Sequence, residues 1–329
     1  MSVRVRGVEI LGAVTGTYPP NDTAGRWAVH GTDLGILWDD GAGGVLCAFG
    51  DTYGVGWCPP GTGPRTADWR FNTLARSTCA DLSRGLLLDE MVTDVDGHAA
   101  EIVPRTGRRS ERTVIPTAGI AVEGRQYLHY MSVRRWFWPG RWRSNHGGIA
   151  VSDDGGRTWR RDLAARWPNR PFGRRTMQMG AFARSPRWVW FLHTRNGRRG
   201  PVFCARVDPA EVADPAAYRH WTGSSWSPRV GKARPVAAGP AGEISVAFHT
   251  GLGCWLLVHL AGGRIVLRTA AHPTGPWTEG ETLVDGAHHP GLYGGYLHPW
   301  HLDGDTVYLT MSSWGPYAVY LVKVVLDRT

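Results

Sequence analysis

A chain of 329 residues with 44 glycines and 22 prolines has room for one large all-β domain or two ordinary ones. Those residues are spread evenly, so they punctuate many short elements and do not mark a disordered tail; no run approaches the roughly 18 apolar residues that span a membrane. The formal charge of +9 invites a nucleic-acid or anionic-surface reading, yet only Lys232 and Lys323 are lysines, the arginines are scattered, and no nucleic-acid-binding motif accompanies them.

The N-terminal MSVRVRGVEILGAVTG is basic and then mildly apolar, with Glu9 and Gly12 interrupting it. It does not read as a signal peptide, which leaves export by another route or a chain lacking its export signal. Next come two β-prone runs, Leu34–Trp38 and Val45–Phe49, bracketing the turn cluster from Asp39 to Gly44. Such a pattern predicts an antiparallel hairpin. Folded symmetrically about Ala42, it sets Ile36 against Ala48, Leu34 against Gly50 and Asp33 against Asp51. Opposed residues share a face with Cβ atoms roughly 4.5–5.5 Å apart. Two carboxylates that close push one pKa up. The bland alternative is a pair of strand-end aspartates serving turn amides.

Strand signals continue at Phe71–Ser77, at Thr117–Ser132 with a turn at Glu123-Gly124, and at Gly147–Arg160. They recur at Met179–Thr194 and Pro201–Val207, then Ile244–His249, Cys254–Leu260 and Arg264–Ala270. The last are Tyr296–His301, Thr306–Ser312 and Ala318–Val325. A single short helix is expected over Pro209–Tyr218. Groups of three or four strands at roughly 60-residue intervals predict a single all-β domain over residues 1–329, a five-bladed β-propeller, with a β-sandwich as the competing architecture. Ser152–Trp159 matches the Asp-box turn of glycosidase propellers, making Asp154 a structural residue, and residues 271–279 look like a degenerate copy. Arg105–Arg112 and Arg195–Arg199 read as solvated loop charge before polyanion contacts.

Five cysteines show neither metal spacing nor CxxC. Cys47, Cys204 and Cys254 sit in apolar runs, while Cys58 and Cys79 are free to pair or not. Among 17 tryptophans, Trp57, Trp69, Trp138, Trp142 and Trp314 stand in Gly/Pro-rich loops and are candidates for stacking on sugars. Polar residues recur beside apolar strands in several blades: Asn72, His146, Gln178, Glu243 and His298, the last in a Tyr-rich run with Tyr296. A structural hydrogen bond is the better single bet for any one of them; their recurrence favours a shared cleft at one rim of the channel.

The segments GTDLGILWDD, FGDTY, RFNTLARST, SNHGGIAVSDDGGRTW, GEISVAF and YGGYLHPW, in this order, resemble the endo-D-arabinanases of glycoside hydrolase family 183, over nearly the whole chain from Gly31 to Lys323. The resemblance implies a five-bladed propeller that cleaves internal α-D-arabinofuranosyl linkages of mycobacterial-type arabinogalactan and lipoarabinomannan, with Asp33 and Asp51 as the essential carboxylates. Both motifs are intact here.

Glycoside hydrolysis needs one carboxylic acid for the leaving oxygen and one carboxylate as base or nucleophile. Asp51 follows an apolar strand, so the sequence assigns it general acid, Asp33 general base and Glu243 the third carboxylate; a directly opposed pair leans to the short, retaining distance, whereas the resemblance to five-bladed glycosidase propellers implies inversion, which is the expectation. Asn72, His146, Gln178, Tyr296, His298 and Trp314 are the expected substrate contacts. No metal or cofactor is expected, and the partner is D-arabinan polysaccharide or oligosaccharide with neither nucleic acid nor membrane insertion. Such a substrate makes the protein extracellular, envelope-directed or virion-associated. The rival readings are a non-catalytic carbohydrate-binding propeller, a sialidase-type hydrolase and a polyanion-binding tail module.

Overall fold

The computed structural model describes residues 3–108, 110–169 and 176–328. Five antiparallel sheets stand around a central axis as the blades of a propeller. Blade I holds Leu34–Asp39, Val45–Phe49, Thr73–Ser77 and Glu90–Met91. Blade II holds Thr113–Val122, Arg125–Trp138, Arg141–Ser152 and Arg160–Pro168. Blade III begins with Met179–Arg184, Val189–Thr194 and Gly200–Val207, and is extended outward by Arg219–Trp221 and Trp226–Ser227. Blade IV is Ile244–His249, Cys254–Ala261, Arg264–Ala270 and Glu281–Asp285. Blade V is Leu292–Leu297, Thr306–Ser313 and Ala318–Arg328, and its outermost strand is the N-terminal Val3–Ala13. The first strand of each blade touches the first strands of both neighbouring blades, so the ring is closed.

Burial explains why near-continuous apolar runs make these strands. Middle strands such as Val45–Phe49 and Val189–Thr194 are buried on both faces, because each blade packs between two others. One apolar cluster surrounds the axis, and further clusters fill the wedges between blades II and III and between III and IV. The outer strand Val3–Ala13 instead alternates half-buried and exposed residues along much of its length. It pairs with Ala318–Arg328 from Val3↔Arg328 to Ala13↔Tyr320, so the segment weighed as an export signal is part of the fold.

Turn chemistry follows the sequence where the determinants are local. Glu123 and Gly124 both have positive φ, the conformation a two-residue hairpin demands. The Asp box lies between the third and fourth strands of blade II. Asp154 accepts from Thr158 N, Thr158 Oγ1 and Ser152 Oγ, and the Trp159 indole closes the turn onto Gly156 O. The degenerate copy occupies the same place in blade IV, where the Trp277 indole reaches Pro273 O. No disulfide joins Cys58 and Cys79.

Two local expectations are corrected. The helix over Pro209–Tyr218 stops as a 3-10 turn at Pro209–Glu211, since Pro215 disfavours a helical Asp214 and cannot donate to the next turn. A short α-helix forms instead at Thr23–Trp27, capped by the Asp22 carboxylate on Gly25 N. Among the described residues no helix is long and apolar enough to cross a membrane. Arg109, within the basic loop, lies outside the described residues.

Candidate active site

The first strand of every blade begins at the same rim, and there the chain gathers Asp33, Thr113, Glu243 and Tyr293. The first hairpin does not fold in the simple register. Ile36 does face Ala48, but Leu34 faces Phe49, and Gly35 is left out as a bulge. Leu34 and Gly35 both have φ of +73°. A leucine in that region stores strain, and blade V holds it there: Ser312 Oγ accepts from Leu34 N at 2.8 Å, and Thr310 Oγ1 donates to Gly35 O at 2.6 Å. The Asp33–Asp51 pairing is therefore corrected. Asp33 sits across from Gly50, whose N–H donates to Asp33 O at 3.1 Å, and Asp51 lies one residue further on. A Cβ at position 50 would overlap Asp33 Oδ1, so glycine is what admits this carboxylate.

Offset in this way, the two aspartates turn to different neighbours. Asp33 leans to blade V, where Tyr293 OH donates to Oδ2 at 2.7 Å and Tyr317 adds a second hydroxyl. Its Oδ1 is buried with no hydrogen-bond partner among the described residues. Burial, and then the charge of Asp51, push the Asp33 pKa up to about 7, with the tyrosine hydroxyls opposing. Asp51 leans to blade II, accepting from Thr113 Oγ1 at 2.7 Å and Trp69 Nε1 at 3.0 Å. Burial raises its pKa to about 6 against these hydrogen bonds and the nearby Arg112. An aromatic wall runs beside the pair: Phe71 edge-on to Trp69, Trp69 stacked on Tyr53, and Tyr53 edge-on to Tyr317.

Glu243 stands across the mouth and is not free. Arg198 grips it with three contacts of 2.7–3.1 Å, and the same guanidinium lies over the Tyr293 ring at 5.0 Å and the Trp142 ring at 5.8 Å. Tyr296 is buried nearby, with its acidity suppressed by burial and by the charges of Glu243 and Asp33. Below them the channel is nearly filled. It holds a void of about 20 Å³, lined by Leu34, Ile115, Met179 and Tyr296 among others.

The other expected contacts have mixed placements. Trp314 is half-exposed at the tip of the blade V hairpin, its indole packed on Gly61, three residues before Tyr317. His146 shares the rim two strands outward in blade II, with Nε2 buried and its pKa lowered to about 4 by burial and then by Arg161. Asn72 is fully buried; its amide bonds Val103 O, Val114 O, Ile102 N and Val103 N, tying blade I to the strand that carries Thr113. Gln178 is likewise buried on Ser144, Trp167 and Thr176, joining blades II and III. His298 follows the end of its strand and packs with Trp300, His301 and Tyr308 at the opposite rim. Of the tryptophans named as platforms, Trp142 is buried under Arg198, and Trp138 is exposed.

Tyr293, Tyr317 and Thr113 were not singled out by sequence, and Arg198, read there as part of the solvated Arg195–Arg199 loop charge, is instead half-buried on Glu243. Only Tyr293 carried a signal, since an aromatic beside two positive-φ glycines in a strand marks a bulge that re-aims a side chain. Among the described residues no cluster of three or more His, Cys, Asp or Glu side chains could hold a metal ion.

A family model described as Domain of unknown function (DUF4185) matches residues 19–323. Notoamide biosynthesis cluster protein J of Aspergillus sp. (strain MF297-2) is 31% identical over 316 residues, covering 88% of this chain and 81% of that protein. Among solved structures, a Bacteroides ovatus protein superposes with a TM-score of 0.62 at 12% identity, covering 91% of this chain and 86% of that one. The endo-arabinase of Bacteroides thetaiotaomicron superposes with a TM-score of 0.52 at 12% identity, covering 91% and 95%. At such identities the likeness to solved structures is one of fold.

Proposed function

We propose that this chain, which belongs to the DUF4185 family, is a glycoside hydrolase that cleaves internal α-D-arabinofuranosyl linkages of D-arabinan. One observation carries the reading: two aspartates at the rim, both of raised pKa, stand in unlike surroundings among aromatic side chains. Glycosidases need such a pair, with one carboxyl protonated and the other ionised near neutral pH. The resemblance of the six segments to the family 183 endo-D-arabinanases supports the choice of polymer, and the fold shared with a bacterial endo-arabinase is consistent with it.

The electrostatics favour the reverse of the roles expected from sequence. Asp33, with the higher pKa, keeps its proton and delivers it to the departing glycosidic oxygen. Asp51, ionised first and steadied by Thr113 and Trp69, takes a proton from the water that attacks the anomeric carbon. Inverting enzymes hold these groups roughly 6.5–9.5 Å apart and retaining ones roughly 5–5.5 Å. The bulge, and the turning of the carboxylates toward opposite blades, favour the wider, inverting arrangement. Glu243 acts through Arg198 and Tyr293, which aim the Asp33 carboxyl. Trp314 and Trp69 offer the sugar faces to stack on. The polymer lies outside the producing cell, so the reading entails an extracellular, envelope-directed or virion-borne protein.

The test is product release from purified D-arabinan by the wild type and by Asp51→Asn, with chain length and first-formed anomer followed over time. Short oligosaccharides from the wild type alone, with inverted anomers first, are expected. Binding of D-arabinan by both with release by neither would leave a carbohydrate-binding propeller.

A further inference from the structure

The second and third strands of blade II, Arg125–Trp138 and Arg141–Ser152, are the long hairpin of the molecule, and its tip reads RRWFWPGRWR from Arg134 to Arg143. The tip leans on the Arg195–Gly200 turn of blade III: Arg198 N donates to Gly140 O at 3.1 Å, and Asn196 Nδ2 donates to Trp142 O. Between tip and turn lies a groove of about 470 Å³, lined by Phe137, Arg141, Arg143 and Arg199 with Trp142 and Arg198 at its inner end. It opens beside the catalytic mouth, because Arg198 is also the residue that grips Glu243 and covers Tyr293.

Its chemistry differs from that of the mouth. Arg141, Arg143 and Arg199 are exposed, and among the described residues none of them enters an ion pair. Glu243 is the acidic side chain at its inner end, and Arg198 already neutralises it. Phe137 and Trp138 stand 47% and 58% exposed, with Arg135 over the first ring and Arg141 over the second. Guanidinium forks match carboxylate and phosphate, and an aromatic face matches a sugar ring. A neutral glycan would use the rings and leave three cations facing it without a counter-charge.

Resting on the hydrolase reading, we propose that this groove is a subsite for a sugar bearing an anionic substituent, phosphate or carboxylate, so that the substrate is a charged glycan and not a wholly neutral arabinan. The anion sits on Arg141, Arg143 and Arg199 while the ring to which it is attached lies on Phe137. The sugar one or more units along the chain then reaches Asp33 and Asp51.

The test is binding of D-arabinose 5-phosphate, D-glucuronate and D-arabinose, followed by NMR of the indole N–H signals and repeated at low and high salt. At least tenfold tighter binding of either anionic sugar than of arabinose is expected, weakening with salt, and the better of the two identifies the anion. In Arg141→Gln/Arg199→Gln that preference falls by tenfold or more with an unchanged thermal midpoint. Equal affinity for all three sugars, or a preference that survives the double substitution, overturns the proposal. So does binding to phosphatidylcholine–phosphatidylglycerol vesicles without any preference among the sugars, which would make the tip a lipid contact. Failure of the wild type to cleave either D-arabinan or D-arabinan carrying phosphate or carboxylate substituents, with the anion preference intact, would break the hydrolase reading alone.

Discussion

Asp33 and Asp154 are the same residue type at strand ends of the same propeller, and they face opposite conditions. Asp154 sits on the outer edge of blade II with three side-chain and backbone donors on its oxygens, and its pKa falls to about 2. Asp33 sits at the inner rim with one oxygen buried and unpartnered among the described residues, and its pKa rises to about 7. A turn supplies donors until the carboxylate is satisfied. The difference lies in what surrounds the oxygens and not in the local sequence, since both aspartates have glycines within two residues.

The largest expected effect breaks the inner member. Asp51→Asn and Asp33→Asn each lower kcat/KM on D-arabinan by about 10³ or more, the loss expected when an acid or base of the reaction is removed, with native circular dichroism retained. Before that substitution, the pH profile of kcat/KM is a narrow bell with limbs near 6 and 7, belonging to the coupled pair. Stability carries the same signature. The folded Asp33 keeps its proton to about pH 7 against 3.8 for the free group. The native state therefore binds the extra proton between those values, and stability declines as pH rises through that window. Asp33→Asn removes its own share of the decline and leaves that of Asp51 below about pH 6, so in urea denaturation the variant exceeds the wild type by about 1–3 kcal/mol at pH 7.5 and converges with it near pH 4.

Gly50→Ala sharpens the comparison sterically. The added methyl group displaces Asp33 Oδ1 without touching its charge, and about 10²-fold loss of kcat/KM is expected from a misplacement of that kind. Glu243→Gln comes next. It frees the Arg198 cation beside Tyr293, so the alkaline limb shifts to lower pH and kcat falls by about tenfold, as for loss of a positioning charge. A pH profile with an unmoved alkaline limb would separate Glu243 from the acid. Asp154→Ala is the smallest. Activity stays within about twofold, and stability drops by about 1 kcal/mol, the scale of a lost side-chain cap, measured by urea denaturation. That contribution is present above pH 4 and fades as pH falls towards 2 in the wild type.

The blades were legible because their determinants are periodic and local. Apolar runs between Gly/Asp clusters gave the hairpins, Glu123-Gly124 gave its turn, and Ser152–Trp159 gave the Asp box. The pair Asp33 and Asp51 was legible as a pair. Its register was not, since the bulge at Gly35 depends on Ser312 and Thr310, nearly three hundred residues away in sequence. Asn72, Gln178 and His298 looked like site residues because each is polar beside an apolar run. Their partners come from other blades or the far rim, which no local pattern reports. The order of the two pKa values rests on burial of Asp33 beside the charge of Asp51, and on Thr113, Trp69 and Arg112 drawing Asp51 down, surroundings that only closure of the ring completes.

That closure has a mechanical consequence. Val3–Ala13 runs antiparallel to Ala318–Arg328, with Val3 opposite Arg328. The two ends of the paired strands therefore emerge side by side at one corner of blade V. A load applied between them meets the ladder one rung at a time and peels the outermost strand away, where a load along the strands would have to shear every rung together. Tethered by these ends, the propeller opens at low force from its clasp. Held by any two blades within the ring, it resists until the apolar wedges between blades give way.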